Sequence, residues 1–113
     1  MKIEDLEITY SVTDASAVLL TIGFGDRNAG GSFVWKDGLV VGKGDIVSLP
    51  LGVGLAGKHI VVNTVVGDMS DENNLTTVKY NLQGGIAPLK IVSNSFVETD
   101  REFMAFRAKI SFI

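Results

Sequence analysis

The sequence predicts an all-β fold: an antiparallel β-sandwich or jelly roll of about eight or nine short strands. Three observations carry this expectation. Apolar and polar residues alternate with period two in several segments, as a strand with one face on a core and one in water must. The apolar residues are dominated by Val, Ile and Leu, and 13 glycines against two prolines favour strands and tight turns over long helices. Turn signals recur at the spacing of a sandwich. With 113 residues, 46% of them hydrophobic, the chain can build a core without staples, so one domain over 1–113 is expected.

The elements follow in order. Leu6, Ile8, Tyr10 and Val12 alternate with Asp5, Glu7, Thr9 and Ser11 to give a first strand. In the second, Val18, Leu20, Ile22 and Phe24 share a face, and Leu19 on the other suggests cover on both sides. Three short strands at 32–35, 39–41 and 45–49 are separated by the turns Lys36-Asp37-Gly38 and Gly42-Lys43-Gly44, the pattern of a meander, with Phe33 and Trp35 in the inward phase. The run 59–66 is almost wholly β-branched, and 76–83 points Val78, Tyr80 and Leu82 inward; the two are expected to pair as an antiparallel hairpin. After Pro88 the phase of Leu89 and Ile91 shifts across Ser93-Asn94-Ser95 to Phe96, which predicts a bulge. Met104, Phe106, Ala108, Ile110 and Phe112 form the last strand, tying the segment into the sheet.

This succession of strands and turns resembles the immunoglobulin-like, C2-like and jelly-roll sandwiches in pattern. Without cysteine the Cys–Trp–Cys arrangement of immunoglobulin domains cannot form. A resemblance at the level of fold implies no function.

Composition excludes several chemistries. A net charge of −3, with no Lys/Arg cluster, leaves no electrostatic footprint for nucleic acid. The absence of cysteine removes disulfides, thiolate nucleophiles and thiolate metal ligands. The opening MKIEDLEITYSV carries acidic residues where a signal peptide needs an apolar run, and no stretch is long and apolar enough to span a bilayer as a helix. The expectation is a soluble chain, cytoplasmic by default.

The stretch GVGLAGKH, residues 52–59, satisfies both G-x-G-x-x-G and G-x-x-x-x-G-K. A phosphate loop must open onto a helix whose free N–H groups face the anion. Here His59 stands where Ser or Thr would hold Mg²⁺, and residues 60–66 are β-branched at every position but Asn63. The stretch therefore reads as a strand connection. Being apolar as well as flexible, it is expected to cap the core with Leu49, Leu51, Val53 and Leu55; if exposed, Leu51, Val53 and Leu55 become a contact surface for a partner.

If every connection reverses the chain, one end of the sandwich gathers Asp26, Asp68, Asp71, Glu72 and Asp100, and the other the glycine-rich loops. Such carboxylates are candidate ligands for Ca²⁺, although the segment from Asp68 fails the EF-hand pattern at its glycine and its twelfth position, and solvated turns are the simpler explanation. No other cofactor is expected. His59 is the sole histidine and no serine lies in G-x-S-x-G, so catalysis is not expected. Trp35, with Asp37 nearby, is the candidate sugar platform. Two functions emerge: a non-enzymatic structural or protein-interaction module, self-associating or within a larger assembly; and, as the alternative, a lectin-like carbohydrate-binding sandwich, Ca²⁺-assisted in one form.

Overall fold

Nine strands, and no helix among the described residues, account for the alternation read in the sequence. The computed structural model describes residues 2–25, 27–69, 74–97 and 103–113. The strands are β1 (Lys2–Tyr10), β2 (Leu19–Phe24), β3 (Asn28–Lys36), β4 (Leu39–Gly44), β5 (Val47–Pro50), β6 (His59–Asp68), β7 (Leu75–Gln83), β8 (Leu89–Phe96) and β9 (Phe103–Phe112). They form a five-stranded sheet in the order β1-β9-β6-β3-β4 and a four-stranded sheet in the order β5-β2-β7-β8. The two sheets pack face to face as a sandwich.

Six of the seven strand pairs are antiparallel, and β1 runs parallel to β9 from Lys2 opposite Met104 to Tyr10 opposite Phe112. The sandwich is therefore not wholly antiparallel. The expected meander and hairpin are both corrected: β5 leaves β4 to pair with β2, and β6 and β7 lie in different sheets. In each case the connection crosses from one sheet to the other, so neighbours in sequence become opposite layers of the sandwich. The expected bulge in β8 is absent; its register with β7 is unbroken from Leu89 to Phe96, which puts Ser95 inward and Phe96 outward. A register shift lies instead between β3 and β4, at Val34/Trp35.

Between the sheets, Leu20, Ile22, Val78, Tyr80 and Leu82 meet Val34, Ile60, Val62, Met104, Phe106 and Ile110, all essentially inaccessible. The inward side of the β3–β6 ladder also carries Ser32 and Thr64, whose hydroxyls hydrogen-bond at 2.9 Å and so satisfy each other inside the core. The Tyr80 hydroxyl faces Thr64 from the opposite sheet without closing a hydrogen bond of good geometry. Burial pushes its pKa up to about 12, and Thr64 offsets this only in part.

The strand directions place the connections 11–18, 37–38, 51–58 and 84–88 at one end of the sandwich. Gly25, Arg27 and the link 45–46 lie at the other, with Met69, Asn74 and Val97. The glycine-rich end is laced by backbone hydrogen bonds. Leu51 N–H donates to Val18 O, Gly54 N–H to Asp14 O, Gly57 N–H to Phe112 O and Lys58 N–H to Leu55 O. Gly52, Gly54 and Gly57 have φ of 81°, 72° and 81°, which glycine adopts without strain, and this lets the loop fold across the sandwich end.

Candidate functional site

The glycine-rich loop is no phosphate cradle: the N–H groups of Gly54, Gly57 and Lys58 already serve backbone carbonyls, and a strand follows. Leu51 and Leu55 are buried under it, so of the three loop residues singled out for a partner only Val53, 62% exposed, faces outward. Of the candidate metal ligands, Asp26, Asp71, Glu72 and Asp100 lie outside the described residues. Asp68 is fully buried at the end of β6, and no group of three His, Asp or Glu able to hold a metal occurs among the described residues.

Trp35 and Phe33 are where the structure departs most from expectation. Both point outward, 38% and 50% exposed, because Ser32 and Val34 take the inward side opposite Thr64 and Val62. The phase of β3 is set by its pairing with β6, and the large aromatics fall on the outer face. Asp37 sits in the β3–β4 turn with φ 52° and is exposed.

Register across the five-stranded sheet turns this outer face into a map. One row runs Asp5, Arg107, Asn63, Phe33, Lys43; the next runs Glu7, Lys109, Val61, Trp35, Val40. A third, toward the other end, holds Ile3, Ala105, Val65 and Gly31, with Phe103 beyond it. The β1/β9 side is thus charged and the β3/β4 side aromatic and apolar. Arg107 Nε donates to Asp5 Oδ1 at 2.7 Å, and the carboxylate holds the guanidinium still more firmly protonated. With both side chains more than half exposed, this pair orients charge more than it stabilises the fold.

Gly31 presents no side chain on this face, and the gap it leaves is a shallow groove of about 560 Å³. Phe33 and Val65 form its apolar walls, and Lys43, Asp45 and Asn63 supply polar groups at its margin. Trp35 does not line the groove but lies one row along the same face. The outer face of the other sheet differs. It carries Thr21, Ser48, Thr77, Lys79, Asn81 and Asn94, with Thr77 Oγ1 bonded to Asn94 Oδ1 at 2.7 Å, and its exposed large apolar residues, Val92 and Phe96, stand on the edge strand β8.

No protein family matches the chain, and no curated protein or solved structure is significantly similar to it. Sequence reasoning singled out Trp35 and Phe33 and missed Lys43, Asp45, Asn63, Val65 and Phe103. The signal available for Asn63 and Val65 was the alternation within β6, where Ile60, Val62 and Thr64 face the core. Nothing local says that β9 and β3 flank that strand.

Proposed function

We propose that the protein is a non-enzymatic interaction module that engages a protein partner through the outer face of its five-stranded sheet. The observation that carries this reading is the inequality of the two outer faces. Phe33, Trp35, Val40, Val65 and Phe103 are each 38–50% exposed on one face, while the centre of the other is polar. An exposed apolar patch rimmed by charge is the usual mark of a contact surface, since its desolvation drives association and the rim fixes orientation. A photo-crosslinking residue at Val40 is expected to give a discrete protein adduct in extracts of the native host, and one at Lys79 none. Equal labelling from both positions would sink the reading.

The groove favours a second reading, a carbohydrate site. An aromatic wall with an amide, a carboxylate and an ammonium at its margin suits a sugar ring that stacks one face and hydrogen-bonds its hydroxyls. On this reading a glycan shifts the fluorescence of Trp35 nearby, and Asn63→Ala abolishes the shift; a glycan panel that leaves the emission unchanged argues against it. Calcium assistance would rest on Asp26, Asp71, Glu72 and Asp100, which lie outside the described residues, and on Asp68.

A further inference from the structure

We infer that the partner of this face is a second copy of the chain, packed sheet to sheet about a two-fold axis running along β6; this rests on the interaction reading above. The strand order makes the test of self-complementarity simple. β6 is the middle of the five strands. A two-fold parallel to it, lying in the interface, turns the face over and reverses the strand order while keeping each row at its own height. β1 of one copy then lies over β4 of the other, β9 over β3, and β6 over itself.

Read against its own reverse, the row Asp5, Arg107, Asn63, Phe33, Lys43 pairs acid with base at both ends. Asp5 faces Lys43 of the second copy, Arg107 faces its Phe33, and Asn63 meets its own mate, whose amide both donates and accepts. In the next row Lys109 lies over the indole of Trp35 and Val61 over Val61. Arginine and lysine over aromatic faces are attractive contacts, strengthened as the pair leaves water. In the third row Val65 meets Val65, and Ile3, 55% exposed on β1, comes over the glycine-floored groove beside β4, so that one copy's protrusion meets the other's depression. The mismatch is Glu7 over Val40, which falls at the rim, where the carboxylate keeps its water.

The area agrees with a second copy. Five strands about 4.8 Å apart and about nine residues long at ~3.3 Å per residue give a footprint of roughly 700 Å², close to the ~800 Å² per partner of a standard stable interface. Sheets packed this way keep their strands within about 30° of alignment, so facing rows stay in reach near the axis.

Light scattering over a concentration series tests this, with a mass rising to twice the 12.1 kDa of one chain expected. Val65→Glu puts like charges together at the axis and is expected to weaken the dimer at least roughly 100-fold, while Thr21→Glu on the other outer face leaves it intact. The melting temperature of each variant reports that it is folded. Because the chain has no cysteine, Val61→Cys gives an independent measurement: a short bismaleimide should link it into dimers and should not link Thr21→Cys. A dimer that survives Val65→Glu, or equal linking at both positions, overturns the face-to-face arrangement. A mass of 12.1 kDa at every concentration overturns self-association; if Val40 still crosslinks a different protein, the interaction reading stands without it, and if it crosslinks nothing, both fall.

Discussion

Tyr80 shows how much one buried polar atom decides. Its ring is buried in the core that also holds Leu20, Ile22 and Val62, yet its hydroxyl lies beside Thr64 with no well-formed hydrogen bond. A buried donor left without a partner costs about 1–3 kcal/mol, so Tyr80→Phe is expected to raise stability by ~1 kcal/mol at neutral pH, read from denaturant melts. The pH dependence follows from the same burial. The folded-state pKa, pushed up to about 12, exceeds the ordinary 10.0 of the unfolded chain. The native state therefore holds its proton where the unfolded state has lost it. Stability from this group is intact below pH 10 and falls as pH rises toward 12, by up to ~1.4 kcal/mol per pH unit. Tyr80→Phe should flatten that alkaline decline, and a variant that is less stable at neutral pH with the same slope would contradict the assignment.

At the scale of elements, the loop over 51–58 divides into an inward and an outward half. Leu55 is inaccessible and Leu51 nearly so, whereas Val53 projects into solvent. Leu55→Ala is expected to cost about 2–4 kcal/mol, the range for emptying a buried leucine site, and Val53→Ser to fall within ~0.5 kcal/mol of neutral; comparable losses at both would show that the loop packs otherwise. This division was half legible in the sequence. The apolar character of the loop announced a cap, and the β-branched strand after it ruled out a phosphate site. β9 was legible almost residue for residue, because Met104 to Phe112 alternate without interruption. β3 was not, because Ser32 and Val34 are inward and Phe33 and Trp35 outward, the reverse of what size and hydrophobicity suggest. Alternation fixes which residues share a face; which face is buried depends on the neighbouring strand, and for β3 that strand is β6, more than twenty residues away. The hairpin expected of β6 and β7 failed for the same reason, since a connection between sheets reads like a connection within one. The candidate site inherits this limit: its five strands come from the whole length of the chain.

Over the whole molecule the two sheets divide the work. The four-stranded sheet turns a polar centre to water, and the five-stranded sheet turns outward a surface charged along β1 and β9 and aromatic along β3, with Val40 and Lys43 of β4 beside it. The parallel pairing of β1 with β9 has a mechanical consequence. The start of β1 and the finish of β9 lie at opposite ends of one hydrogen-bonded ladder nine residue pairs long. Tension applied between Lys2 and Ile113 pulls along the strands and loads those bonds together, in shear. Tension between Lys2 and Phe103, which lie at the same end, peels them apart one after another. Single-molecule pulling with handles at the first pair of positions should therefore meet a markedly higher rupture force than at the second, and the first strand should bear load as a clamp.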